Sequence, residues 1–486
     1  VPTEFEWIQR FEAQVEEQCR YAKPYELRYA NEYVLPFIAS EYREVYGTQA
    51  QHLLVSLLEA PRTGAAAVTV DALVERLTVL GGTSDDPETA KAIAEAWEDN
   101  DLDVMHHEAT REALVRSQAF GFVSRSRDSR RAVFTVESSE QCAVHRMQGP
   151  PYDVDAAWKC TTDEWTGERL GLLRLPGRDI WLKPGKTDLP AGAPGQGAAG
   201  RWRVDREEAT GTQVVQVVQF AHQPRLLKKP ASEIEPIVTL VDEVDLIEGL
   251  MVFAGHFGAV PIRYGTGLDI QRDPKDPTKP LLGPDGKPII GFKPRADHFW
   301  FNSNKDAQFG QLTPATLDTF VTWANHARTN LRAKTKVAST YYAIDLKTHM
   351  SAELLKTDEA PMVRRVLAIG RDGTFNQSWR RGLTLIAEAQ GLHGRVRPLW
   401  DDPQTRVESQ SVDAFQKAVA SGISVVTAAE KFLGWTRAEA EQAVEEARTE
   451  EQARADRAGD PFSLLDEETR ARLKAVPSPG PASGAA

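Results

Sequence analysis

Residues 232–261 read SEIEPIVTLVDEVDLIEGLMVFAGHFGAVP, and the fold turns on how this stretch is read. Apolar residues at helical spacing predict a helix over 233–258, about 39 Å long at 1.5 Å per residue and ended by Pro261. Leu240, Val244, Ile247 and Met251 form a stripe at i, i+4, i+7 and i+11, an apolar flank for packing. The stretch also carries six carboxylates and no lysine or arginine. Of these, Glu235, Asp242 and Asp245 fall within about 80° of one another at 100° per residue. Such a face has three readings: a solvated surface, a catalytic or metal-binding cluster, or a wall that repels negative charge. For one helix alone the solvated surface is the expected one.

The segments C-terminal to this helix alter that weighting. A stretch rich in proline and glycine (261–312) leads to a second long helix opening at TPATLDTF, with Thr313 as N-cap, Pro314 in the first helical position and Asp318 near the N-terminal dipole. Its apolar stripe is Leu317, Phe320, Val321, Ala324 and Leu331, and its far end is basic, with Arg328, Arg332, Lys334 and Lys336. A third helical stretch over 351–391 contains Pro361, Gly370 and Gly373, expected to kink and weaken it. Shorter helices over 411–457, one with the capping box Thr436–Glu439, precede a tail, VPSPGPASGAA, that is disordered by composition.

Ahead of the acidic helix the period differs. Residues 4–20 place Phe5, Ile8, Phe11 and Val15 at helical spacing, and 70–82 reads as a helix turning toward a strand, with its glycine pair as a stop. Residues 88–126 read as two helices broken at Asn100–Asp101 and running into a strand near Phe120–Val123. From 119 to 222, short β-type runs alternate with turn clusters, interrupted by the flexible composition of 184–200.

The totals bound the function. A chain of 486 residues has room for about three domains. No apolar run approaches the roughly 18 to 20 residues that span a bilayer, and the acidic, amphipathic first residues are not expected to be a signal peptide. Cys19, Cys142 and Cys160 are odd in number and lack metal-ligand spacing, which suggests a reducing compartment. A net charge of −12 argues against gripping nucleic acid through the overall field. KPGKT (183–187) ends like a phosphate-binding loop, but Ile180 occupies the position of its first glycine. His106 and His107 are adjacent rather than i and i+4, so a solvated face is expected there. Asp269, Asp273 and Asp276 lack a calcium loop's alternation and closing glutamate, which leaves a polar loop. No catalytic signature, cofactor site or metal site emerges, and the expectation is that the chain is not an enzyme.

Several strings, in one shared order, resemble the portal proteins of tailed bacteriophages, in the version common among phages of actinobacteria. VDALVERLTVLGG is similar to that family's V-D-A-x-x-x-R-L-x-V-x-G segment, and AWEDNDLDVMHHEATREALVRSQAFGFV to its W-x-x-N-x-L-D helix and strand. SEIEPIVTLVDEVDLIEGLMV resembles its first stem helix, introduced by S-x-I-x-P. SAELLKTDEAPMVRRV resembles its S-G-x-A-L-K segment, with Ala352 where glycine is common. VRPLWDDPQTRVESQSVDAFQKAVASGIS is similar to its closing W-x-D-P-x-x-R and D-A-x-x-K pattern. The likeness runs from about residue 20 to 450 and leaves 261–312 unmatched.

The resemblance implies an α+β portal fold. Its parts would be a mixed wing (1–231, with the β-rich layer at 119–222), a first stem helix (232–260), a clip (261–313) and a second stem helix (314–336). A tunnel loop (337–350), a kinked wing helix and return strand (351–404), a helical crown (405–458) and a flexible tail (459–486) would complete it. It implies a homo-oligomeric ring, usually of twelve subunits, at one capsid vertex of the virion, assembled in the bacterial host cytoplasm. Double-stranded DNA would pass through during packaging and ejection without sequence readout. Terminase, a head–tail adaptor and the major capsid protein would be its partners, and no membrane is involved. Glu235, Asp242 and Asp245 would line the channel, and twelve chains would sum to about −144, the wrong sign for a clamp on DNA. Lys334, Lys336, Lys347 and His349 would form a DNA-proximal girdle and tunnel loop, with dipole compensation and a solvated loop as the plain alternatives. Two rival classes stand beside it: a non-channel minor capsid or scaffold-associated protein, and a carboxylate–metal DNA-processing enzyme.

Overall fold

The computed structural model describes residues 2–35, 62–126, 131–147, 153–185, 201–226, 228–259, 263–267, 272–283, 286, 306, 308–311, 316–343, 352–404, 408–435 and 437–459. The chain divides into two compact units, Val1–Pro403 and Gln404–Ala486. The architecture is α+β.

In the first unit, α1 (Glu4–Tyr29) opens with a capping box, Thr3 and Glu6 each bonding the other's backbone N–H, and runs through Pro24. Its apolar face, Ile8 and Phe11, packs on Trp158, Leu173, Ile180 and Trp202 of an antiparallel five-stranded sheet. That sheet has the order β4-β5-β6-β7-β8, formed by Cys142–Arg146, Val154–Thr162, Arg169–Leu175, Arg178–Pro184 and Trp202–Ala209. A three-stranded sheet, β3-β2-β9 (Ala132–Ser138, Gln118–Arg125, Val217–Ala221), lies behind it. Phe120, Phe122, Val144, Val154 and Val217 fill the space between the two.

Helices α2 (Ala65–Val74), α3 (Pro87–Asp99) and α4 (Leu102–Arg116) cover the rest of this core. The expected break between the last two is present: Asp101 sits at φ +49°, and Asn100 ends α3. Asn100 donates to the Ala96 and Ala132 carbonyls (2.7 and 3.1 Å) and accepts from the Phe134 N–H (2.9 Å). One polar side chain thus pins the helix end to β3. The glycine pair expected to stop the preceding helix instead lies inside β1 (Val79–Ser84), which pairs with β14 (Val396–Trp400). Gly82 must be small there, because a Cβ would come within 2.7 Å of Leu383.

The histidine pair is not a solvated face. His106 is buried, with Nδ1 2.9 Å from the Leu102 carbonyl oxygen, and burial lowers its pKa to about 4. The helix turns it inward because Leu102, Ala109 and Ala113 share the covered side.

The acidic stretch begins with a 3-10 turn, Glu235–Ile237, continued by α5 (Val238–Ala259). The second long helix, α6 (Leu317–Thr335), has Thr316 as its N-cap residue; Thr313 and Pro314 lie outside the described residues. Between α5 and α6 the described residues form two ribbons, β10 (Arg263–Thr266) with β13 (Gln308–Gln311) and β11 (Arg272–Asp273) with β12 (Asp276–Pro280). Asp273 and Asp276 take part in turn chemistry: they accept from the N–H groups of Lys275 and Thr278 at 2.8 and 3.1 Å. Asp269 lies outside the described residues.

The stretch expected to be one kinked helix is two, α7 (Ala352–Ile369) and α8 (Thr374–Ala389). Pro361 sits inside α7 without ending it, and the glycines make the break. A Cβ on Gly373 would lie 2.2 Å from the Ala368 carbonyl oxygen, so only glycine lets the chain re-enter a helix so soon. Helix α8 carries the heart of the main core: Phe375, Trp379, Leu383 and Ile386 are buried, and Trp379 packs on Trp97, Phe134 and Phe220.

The second unit is helical: α9 (Glu408–Ala420), a short α10 (Val425–Ala428) continuing into a π turn (Ala429–Leu433), and α11 (Arg437–Gly459). Gly422, at φ +93°, closes α9 as the Ile423 N–H reaches back 3.1 Å to the Ala418 carbonyl. Thr436 of the expected capping box lies outside the described residues.

Candidate functional site

Helices α5 and α6 are the elements to which the sequence assigns function. Arg365 reaches both Glu233, ahead of α5, and the carbonyl of Thr335 at the end of α6. The start of one helix thus lies beside the end of the other, and the pair is antiparallel. Val244, Ile247 and Met251 meet Ala324 and Ala327 along the seam, as the apolar stripe of α5 predicts. The small alanines let the backbones approach. On α6 the expected stripe divides: Ala324 and Leu331 are buried, whereas Leu317 and Val321 are each 44% exposed.

The six carboxylates answer the question their pattern raised. Each accepts from a donor elsewhere in the chain. Arg28 grips Asp242 through two bonds, Nε to Oδ1 at 2.9 Å and Nη2 to Oδ2 at 2.8 Å. Asp245 accepts from the Thr63 N–H at 2.9 Å, from the Thr63 hydroxyl at 2.5 Å and from the Tyr33 hydroxyl. Glu235 accepts from the Tyr21 hydroxyl at 2.8 Å. Glu243 accepts from Trp323 Nε1 at 3.0 Å, and Glu248 pairs with Arg328, so these two clamp α5 to α6. Glu233, fully buried, takes Arg365 Nη2 at 2.5 Å and Gln223 Nε2 at 3.2 Å, with His222 Nε2 at 3.0 Å.

Asp242 and Asp245 are only 3% and 1% exposed. This corrects the expectation that they form an open acidic wall. The physical reason lies in what covers that side of the helix. Asp245 sits next to buried Val241 at 100° per residue, and the end of α1 and Thr63 close over this side and supply the donors, so the two acids are carried inward. Once inside, a carboxylate must be paired or bonded. Glu235 alone of the three stays exposed. Burial, reinforced by the Asp245 carboxylate, holds the Tyr33 phenol well above its ordinary value, so it remains a donor. For Arg28, burial opposes the charge, but the Asp242 hydrogen bonds and charge outweigh it and the net shift is upward.

The basic end of α6 behaves differently. Arg328 and Arg332 are taken up by Glu248 and Asp358, and Asp358 also accepts from the Ser339 N–H and hydroxyl, both at 2.7 Å. Lys334 and Lys336 are exposed, Lys336 closing the helix at φ +60° with its N–H 2.7 Å from the Arg332 carbonyl. Lys347 and His349 lie outside the described residues.

The donors Tyr21, Arg28, Tyr33, Thr63, His222 and Arg365 carry no motif and were missed in the sequence. The usable signal was in α5 itself, where apolar residues at 240, 241, 244, 246 and 247 wrap too far around the helix to leave an open acidic face.

No family model matches the chain, and no curated protein matches it. Among solved structures it is similar to a chain from the neck of a native gene transfer agent particle computed with C12 symmetry, at TM-score 0.44 and 11% identity. It is also similar to a chain from the virion of the native particle (TM-score 0.42, 9% identity) and to one from the neck of the empty particle computed with C6 symmetry (TM-score 0.41, 10% identity). Each comparison covers 79% of this chain and 93% of the other. No helix among the described residues is long and apolar enough to cross a membrane.

Proposed function

We propose that the chain is a portal protein of a tailed phage, forming a ring at one capsid vertex through which double-stranded DNA is packaged and ejected. The observation that carries this reading is an antiparallel pair of long helices, α5 and α6, separated by a 261–313 excursion and succeeded by α7 and α8. This order occurs in a chain whose local strings resemble that family from about residue 20 to 450. The order carries the proposal, not the loose likeness to the particle chains.

In this role α5 and α6 are the stem. Leu317 and Val321 on α6 and Val252 on α5 (42% exposed) are apolar surface for a neighbouring subunit to cover, as a head-to-tail ring requires. Lys334 and Lys336 touch passing phosphates without sequence readout, with Lys347 and His349 as further candidates. Terminase and, later, the head–tail adaptor dock on 261–313, and the major capsid protein surrounds the ring in the virion. The carboxylates of α5 are engaged as hydrogen-bond and ion-pair acceptors, so the portal reading needs no chemistry from them. The proposed role is not enzymatic.

Electron microscopy of the purified chain, with end-on views classified for symmetry, tests the proposal. Closed rings with an axial hole, of twelve subunits, are the expected result. A chain that stays monomeric at high concentration and cleaves DNA with Mg²⁺ overturns it.

A further inference from the structure

One face of the first unit runs against the charge of the whole chain. The net charge is −12, yet a cleft of about 1640 Å³ bounded by α1, the 222–230 loop and α8 is lined by eight lysines and arginines and only two carboxylates. Both carboxylates are already engaged: Glu17 with Lys229 at 2.6 Å, and Asp153 with Arg381 at 3.1 Å. Five of the cations, Arg10, Arg225, Lys228, Arg380 and Arg395, are exposed and have no ion-pair partner among the described residues. They come from four separate parts of the chain, so helix periodicity does not account for their meeting. Like charges gathered in a concavity repel one another and focus a positive potential outward.

The rest of the lining narrows the class of anion. The hydroxyls of Ser378 and Thr384 are spent on the Gln219 and Arg380 carbonyls, both at 2.7 Å. Gln14 and Gln18, by contrast, donate one N–H each to the Val144 and Cys142 carbonyls and keep the second, and Gln377 stands with them among the cations. Arginine and lysine interleaved with neutral amides form a donor set that contacts phosphate backbones. The valines behind the cleft are already covered, Val217 at 2%, Val218 at 4% and Val396 at 2% exposed, so they offer no floor for an apolar peptide face. Leu226 is the one large apolar side chain standing open to the cleft among the described residues. Two aromatic rings stand among the described lining residues, Tyr21 and His145. The Tyr21 ring packs edge-on with Tyr25 at 5.1 Å, and its hydroxyl accepts from the Ser232 N–H at 3.0 Å and donates to Glu235 at 2.8 Å. The His145 ring packs edge-on with Trp7 at 5.2 Å, with Nδ1 2.6 Å from Asp155. Single-strand sites rely on aromatic platforms for stacking, and the described lining has no free one.

We infer that this cleft binds the phosphate backbone of duplex DNA, independently of sequence. The site is separate from the lysines that end α6. It does not depend on ring formation, so its failure and that of the portal reading are distinguishable.

The test uses the full chain and a fluorescein-labelled random duplex of about 30 base pairs, with anisotropy read from about 50 to about 200 mM salt. With five phosphates neutralised, log K falls against log salt with a slope of about −4 to −5. The quadruple reversal R225E/K228E/R380E/R395E is expected to weaken binding by at least about tenfold and to flatten that slope. K91E/K417E, reversing two exposed lysines outside the cleft and outside the helices proposed as the stem, leaves binding within about twofold. All the reversed residues are exposed, and an unchanged circular-dichroism melting curve verifies folding. Single Arg225→Ala and Arg395→Ala variants give smaller losses in the same direction. Absence of duplex binding, binding indifferent to the cleft reversal, or an equal loss in K91E/K417E overturns the proposal. So does tighter binding of polyglutamate than of the duplex with the same dependence on the cleft residues, which marks a docking surface for acidic protein.

Discussion

The two ends of charge in the stem pair had opposite fates. The acids of α5 are drawn inward and matched one by one, whereas the last two lysines of α6 remain at the surface. Both sets look alike in the sequence, a run of one sign on a long helix. The difference lies in what each helix packs against. Helix α5 is covered on one side by the end of α1 and the 62–63 segment and on another by α6, so few of its positions reach solvent. The end of α6 is covered only on the side of Leu331 and Thr335. A run of charge therefore reports nothing until the number of covered sides is known.

The sharpest way to break this contrast is Asp242→Ala, which strands the Arg28 guanidinium in a largely buried site. A loss of about 3–5 kcal/mol is expected in urea unfolding, with much of it recovered by Arg28→Met combined with Asp242→Leu. A loss below about 1 kcal/mol would return Asp242 to the surface class. Next in size is the pH dependence of buried His106. Its folded pKa of about 4 lies below the unfolded value, so the unfolded state binds the extra proton. Its contribution is present above about pH 6.5 and is lost as pH falls toward 4, up to ~3 kcal/mol. Subtracting the stability curve of a His106→Leu variant from that of the unaltered chain isolates this slope. Glu248→Ala, which removes the partly buried partner of Arg328, is expected to cost about 1 kcal/mol, read from the fall in thermal midpoint. Lys334→Glu with Lys336→Glu should alter stability by less than about 0.5 kcal/mol. A larger cost would place those lysines in the structural class with the acids.

Much of the fold was legible because its signals are local. The break at Asn100–Asp101, the short strands of 119–222 and the apolar seam of α5 all arise from period and turn chemistry. Strand β8 was not legible: WRVDREEA buries only Trp202, and an exposed edge strand has no alternation to detect. The two-helix nature of 351–391 turned on Gly373, where the sequence warned of weakness but not of a carbonyl 2.2 Å from any added Cβ. The candidate site was legible as an inventory of charges and illegible as a set of pairs. Periodicity assigns Asp245 to a side of its helix, but nothing local to it announces Tyr33 or Thr63. The cationic cleft was hidden for the same reason, its members being scattered from Arg10 to Arg395.

The Arg28–Asp242 pair has a consequence for how the molecule is made. The partners are 214 residues apart. At about 5–20 residues per second, roughly 10–40 s of synthesis separate the two. Through that interval the end of α1 has emerged with its guanidinium still hydrated and its docking helix unwritten, so the N-terminal helix cannot settle into its final place as it is made. Closure of the first unit is therefore a late event in translation, set by the arrival of α5 rather than by the folding of the segments that came before it.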